Sequence, residues 1–164
     1  MLTYTRLLLL AVWLGAALFF SAVVAPSLFA ALRAFAVPNV GEIAGTIVTR
    51  TLAVVNVSGF VIGLVGLATG LVSKRVFGQR TGVLEFISLI VLAITTGVGH
   101  WIIAAKMRSL RLAMALPIDQ VPIDDPLRVA FNRLHGYSVT ALSIAMIAAL
   151  VGFALIAYRA RSHC

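Results

Sequence analysis

Pro126–Tyr158 reads PLRVAFNRLHGYSVTALSIAMIAALVGFALIAY, a polar opening followed by an apolar run, and that order decides the fold. Asp124 or Asp125 is placed to cap a helix starting here. Pro126 suits its first turn, where the missing proline N–H would have no partner anyway. Arg128, Asn132 and His135 fall at i, i+4 and i+7 and share one helix face, which Ser138 continues. From about Tyr137 to Tyr158 the chain is almost wholly apolar, long enough to cross a bilayer. The polar face therefore stands at the mouth of a spanning helix, where polar groups are costly and carry a partner or a task.

The composition agrees. Of 164 residues, 62% are hydrophobic and 11% charged, and the mean hydropathy is +1.09. A soluble domain of this size has no use for so much apolar surface. The solvent is a lipid bilayer, and the chain is expected to be a single transmembrane domain, 1–164, of all-α class. The formal charge of +8 does not point to nucleic acid. The basic residues stand at the ends of apolar segments, where anionic lipid and membrane orientation account for them. One cysteine, Cys164, excludes an intrachain disulfide. It is also the last residue, whereas a prenylation motif needs its cysteine fourth from the end.

Four spans are expected, at about 7–32, 51–73, 83–105 and 137–158. The first imitates a secretory signal, with Arg6 in front and Val23-Val24-Ala25 behind. It is too long for one and Pro26 would follow the cut, so it reads as an uncleaved span. Pro26 should kink it, and Trp13 is expected as an interfacial anchor. Pro38–Glu42 reads as a helix start, with Asn39 as cap and Glu42 completing a capping box. It opens an amphipathic piece over about 40–50, lying at the interface or running into segment two. In segment two Gly59, Gly63, Gly66 and Gly70 form one stripe at i, i+4, i+7 and i+11. In lipid such a stripe lets helices approach closely, so Gly63→Leu should separate two helices and Gly63→Ala should be milder.

Lys74, Arg75, Gly78, Gln79 and Arg80 form a short basic turn. Glu85 suits the positive end of segment three and is expected in that interfacial role. The helical pattern continues past the apolar run, with Lys106, Arg108 and Arg111 in the next two turns and Met107, Leu110 and Met114 keeping an apolar face. At roughly 30 residues, about 45–50 Å, segment three exceeds the hydrocarbon core of about 30 Å. Segments three and four should therefore project from the membrane as a helical hairpin, closed by the polar loop 117–125.

Alternation of four spans puts the ends of segments one and three and the starts of segments two and four on one side, the hairpin side. Depth along the spans then gathers Asn56, Thr96, His100, Asn132, Arg133, His135 and Ser138 into one polar layer. His135 can donate and accept, and is expected to bridge neighbouring helices from inside the bundle, so that His135→Ala leaves buried partners unpaired. Arg133 points about 200° away on the helix wheel and has Glu42 as its best partner within the chain.

Three stretches resemble the transmembrane-protein-205-like family of small membrane proteins. They are Trp13–Phe29 (WLGAALFFSAVVAPSLF), Trp101 with Lys106, Arg108 and Arg111, and Phe131–Ser138 (FNRLHGYS). The last is the most specific, matching an aromatic–x–Arg–aromatic-or-Leu–His–Gly–x–Ser pattern. The resemblance implies four spans and names no reaction. It departs at Val48-Thr49-Arg50, where the family often has an aromatic–proline pair.

His100 and His135 invite a haem reading, one imidazole from each of two helices. The alternative is a polar layer that fixes helix register, and two lone histidines favour that alternative. No catalytic set is apparent: Gly97-x-Gly99 lies in an apolar helix and is no nucleotide fingerprint, and Ser138 three residues after His135 does not make a nucleophile–base pair. His163 and Cys164 fall on the opposite side from His135. The expected function is a non-enzymatic structural, assembly or stress-related membrane component. The alternatives are an oligomeric transporter of small molecules or ions, or a haem- or metal-binding redox protein. Its partners are the lipid bilayer and either a second copy or another membrane protein, and both termini are expected in the cytoplasm.

Overall fold

The computed structural model describes residues 2–72 and 80–161. Lys74, Arg75, Gly78 and Gln79 of the basic turn, with His163 and Cys164, lie outside the described residues. Four long helices carry the fold: α1 Leu2–Ala34, α2 Val40–Val72, α3 Thr81–Ala113 and α4 Pro126–Arg161. They form an all-α bundle in which α3 packs between α2 and α4, and α1 closes the ring against α2 and α4. All four are apolar and long enough to cross a membrane, and rows of exposed aliphatic side chains such as Val12, Val54, Ile94 and Ile147 form the surface that faces lipid. The chain is an integral membrane protein of the multi-pass kind.

Every helix is longer than its expected span. α1, α2 and α3 have 33 residues each and α4 has 36, about 50 Å at helical rise against about 30 Å of hydrocarbon. The overhang is thus not confined to α3 and α4. The expected amphipathic piece at 40–50 is simply the first three turns of α2.

The glycine stripe explains how α2 meets α3. A Cβ on Gly59 would stand 2.8 Å from the Thr96 methyl and from the Trp13 ring. On Gly63 it would be 3.2 Å from the Ala93 backbone, and on Gly66 3.0 Å from Leu89. The contacts step down α2 as they step up α3, the signature of an antiparallel pair packed at small residues. Gly70 is buried as well. On the other face of α3, α4 offers Ala145, Ala148, Ala149 and Gly152, all buried. Leu10, Trp13, Ala17, Leu89, Leu92, Leu142 and Ile156 fill the centre.

Pro26 acts one turn earlier than a simple kink. Residues Phe20–Val24 form a π-turn, and the Ala25 N–H reaches back to the Phe20 carbonyl. The wider turn re-routes the ladder ahead of the proline, whose ring crowds the preceding turn and which supplies no N–H. α1 ends with Val37 N–H on the Leu32 carbonyl and Ala36 at φ 50°. That left-handed cap is usually glycine. A second π-turn, Val98–Ala104, interrupts α3 around His100.

The capping box at the start of α2 does not form. Asn39 adopts φ 54° and its side-chain oxygen accepts from Gln120 Nε2. The first N–H groups of α2, on Gly41 and Glu42, are capped by the Asp119 carboxylate, each at 2.9 Å. Glu42 instead grips Arg111, at 3.0 Å to Nε and 2.9 Å to Nη2, and accepts the Ile118 N–H. The α3–α4 link is therefore folded onto the start of α2 rather than free. Met114, Ile118 and Val121 pack there under Leu110, Leu127 and Phe131 as a small second core. Asp125 caps α4 through the Leu127 N–H at 2.8 Å.

Candidate functional site

The expected polar layer does not assemble into one network. Among the described residues, no hydrogen bond joins any two of Asn56, Thr96, His100, Asn132, Arg133, His135 and Ser138. Thr96 is buried, but its hydroxyl donates to its own helix at the Leu92 carbonyl, 2.7 Å. That leaves its methyl for Gly59. Asn56 is buried against Gly99, and the π-turn residue His100 stacks its edge on Trp101. Asn132 and Arg133 are exposed. Arg133 donates to the Tyr137 hydroxyl at 2.8 Å and lies over that ring. Its expected partner Glu42 is held by Arg111 instead. Asn132 and Arg133 thus leave the layer because their faces of α4 look outward.

Two of the expected residues do come together. His135 and Ser138 line a cavity of about 310 Å³ between α1, α2 and α4. Its far wall is the π-turn of α1, where Phe20 is buried and the Ser21 hydroxyl is buried with no hydrogen-bond partner among the described residues. Most helical serines and threonines here bond the carbonyl three or four residues back, as Ser143 does at 3.0 Å. Ser21 does not. Apolar walls come from Pro26, Phe29, Leu52 and Met146. His135 itself is exposed at the mouth and makes no hydrogen bond among the described residues, so it does not bridge helices there as expected. His100 is not among the walls of this cavity; among the described residues its Nδ1 is buried without a hydrogen-bond partner.

The opposite end holds what the sequence expectation missed. Glu85 is 2% exposed and accepts from two arginines, Arg6 of α1 and Arg159 of α4, the latter at 2.7 Å. Glu85 lies in the second turn of α3 and its role is an ion triad tying three helices, not a lone dipole contact. Arg6 stands near the start of α1, Glu85 near the start of α3 and Arg159 near the end of α4, and alternation of the spans was enough to bring them level.

Trp13 also departs from expectation. It is 3% exposed, not interfacial, and its indole Nε1 donates to the Val55 carbonyl at 2.9 Å.

Residues 8–115 match the family described as a domain of unknown function, DUF4149. The match spans most of α1, all of α2 and α3, and ends in the link before α4. It includes Trp13, Glu85 and the glycine stripe, and it stops short of Phe131–Ser138. No curated protein and no solved structure matches the chain. Because more than half of its length is matched, the chain belongs to the DUF4149 family of proteins of unknown function.

Proposed function

We propose that the protein is a non-enzymatic membrane component, a structural or assembly element whose polar groups hold one fixed arrangement of helices. The Arg6–Glu85–Arg159 triad carries this reading. The costliest groups within reach of the hydrocarbon are bonded to one another across α1, α3 and α4, where they set register rather than meet a substrate. The resemblance of Phe131–Ser138 to transmembrane-protein-205-like proteins accords with such a bundle and names no reaction. Mild-detergent capture from native membranes should recover a membrane partner or a second copy in fixed ratio. Liposomes holding the purified protein should show no ion or solute flux above empty ones, and flux proportional to protein would overturn the reading.

A second reading rests on the lateral cavity. Ser21, His135 and Ser138 place hydrogen-bonding groups beside apolar walls, the make-up of a site for a small lipid-soluble molecule. In that case the protein carries or stores such a molecule, and extraction of the purified protein with organic solvent should release one compound at a constant molar ratio.

Both termini are placed in the cytoplasm in this proposal. Lys74, Arg75 and Arg80 crowd the short link between α2 and α3, the kind of loop on which positive charge governs orientation. A C-terminal reporter active only outside the cytoplasm would reverse it.

A further inference from the structure

We propose that a groove between α2 and α3 on the hairpin side binds the phosphate of an anionic phospholipid, through Arg50 and Arg108. The groove has a volume of about 280 Å³. Gly45, Thr46 and Arg50 line it from α2, Met107 and Arg108 from α3, and Phe131 from α4.

Its charge is unbalanced. Four charged residues line it: Glu42, Arg50, Arg108 and Arg111. Glu42 and Arg111 neutralise each other in a bidentate pair, and the Arg111 guanidinium also lies over the Phe131 ring at 5.4 Å. Arg50 and Arg108 remain, both exposed, with no hydrogen bond or ion pair among the described residues. A guanidinium has five N–H donors and no acceptor, in a fork that matches phosphate oxygens two at a time. Two such forks on one groove call for an anion.

Depth names the source of that anion. The apolar run of α3 ends near Ala105, and that of α2 begins near Leu52. Arg50 and Arg108 therefore stand within a turn of the hydrocarbon edge, at the level of lipid headgroups. Beside them Met107, Leu112 and Phe131 give the groove an apolar wall. A phospholipid offers both halves, its phosphate to the arginines and its glycerol and upper acyl carbons to that wall. Inorganic phosphate offers only the first. This inference does not depend on the function proposed above, since a scaffold and a carrier would use such a lipid alike.

The test uses the full chain in detergent, titrated with phosphatidylglycerol, phosphatidylcholine or inorganic phosphate. Native mass spectrometry counts bound lipid and a melting curve reports stabilisation. Phosphatidylglycerol should bind at one molecule per chain and raise Tm, while the other two should not. Arg50→Gln with Arg108→Gln should weaken that binding at least about tenfold, as expected when charge-assisted bonds to phosphate are removed. Both side chains are exposed, and an unchanged Tm in phosphatidylcholine verifies that the variant folds. Arg108→Lys, which keeps the charge without the fork, should fall between. Arg33→Gln, on the same side but outside the groove, should bind as the parent does. The proposal is overturned if phosphatidylcholine binds equally, if inorganic phosphate alone gives the stabilisation, if Arg33→Gln loses as much as the double variant, or if the double variant binds like the parent.

Discussion

The indole of Trp13 reaches the carbonyl of Val55, 2.9 Å away, across the position where Gly59 lacks a side chain. The carbonyl belongs to the turn that Gly59 closes, and a Cβ there would lie 2.8 Å from two atoms of the indole. Close approach, rather than conformational freedom, is what requires glycine here. Gly59→Ala should therefore expel the indole, losing the buried bond and overpacking the α1–α2–α3 junction. A cost of about 1–3 kcal/mol is expected from overpacking alone. Gly66→Ala meets only the tip of Leu89, which can rotate, and should cost less. Gly63→Ala meets the Ala93 backbone and should cost more than Gly66→Ala, though less than Gly63→Leu. Denaturant melting of the three variants in one detergent checks the order, and a Gly59→Ala protein more stable than Gly66→Ala would refute the packing account.

The buried triad gives an asymmetric prediction. Glu85→Ala takes the carboxylate away from buried Arg6 and partly buried Arg159, and breaking a buried pair in this way costs about 3–5 kcal/mol. Arg6→Ala leaves Glu85 still bonded to Arg159 and should cost distinctly less. Arg6→Ala combined with Glu85→Ala should then be less than additive, because the second change removes an interaction already lost. Additive losses in that double-mutant cycle would mean that Arg6 and Glu85 do not act together.

The bundle was legible in the sequence because it rests on properties a sequence displays: apolar runs of spanning length, glycines at helical spacing, and alternation of direction. The Asp125 cap and the close-packed Gly59–Gly66 stripe were legible for the same reason, being local or periodic. Side-chain partnerships were not. Glu42 lies in plausible reach of several basic residues on the hairpin side, and only the folding of Ile118 and Val121 into a second core decides for Arg111 over Arg133. Depth could put His100 and His135 at one level but could not say which face each takes, because rotation of α3 about its axis is set by which of its residues meet the α2 glycines. The Glu85 triad could have been found by applying depth to the termini side as well. Trp13 was misplaced because a tryptophan near a span end signals the interface equally well, and its partner is a backbone carbonyl, which no side-chain pattern announces.

Asp119 supplies a further test, of how the α3–α4 link is tied down. It caps α2 from 77 and 78 residues away in sequence, so one carboxylate both satisfies two helix-end donors and docks the link. Asp119→Ala should cost about 1 kcal/mol, the usual loss for a removed cap. Hydrogen exchange should quicken at Gly41 and Glu42 and across the Met114–Val121 core together. Faster exchange at the two α2 amides with the link unchanged would show that the link is held by its apolar packing alone.

His135 is the residue for which stability and function should separate. A bridging histidine would cost about 1–3 kcal/mol to remove, through the buried partners it leaves behind. Among the described residues His135 makes no hydrogen bond, and it holds an exposed position at the mouth of the α1–α2–α4 cavity. His135→Ala should therefore shift stability by no more than about 0.5 kcal/mol, as for a side chain away from caps, cores and buried pairs. Ser138 is buried 6% exposed on the same wall, and Ser138→Leu should fill part of the cavity. If the cavity holds a lipid-soluble molecule, both variants should lose that molecule while His135→Ala keeps the parent's melting curve. A His135→Ala protein that melts well below the parent would restore the imidazole to a structural role and take it out of the cavity's chemistry.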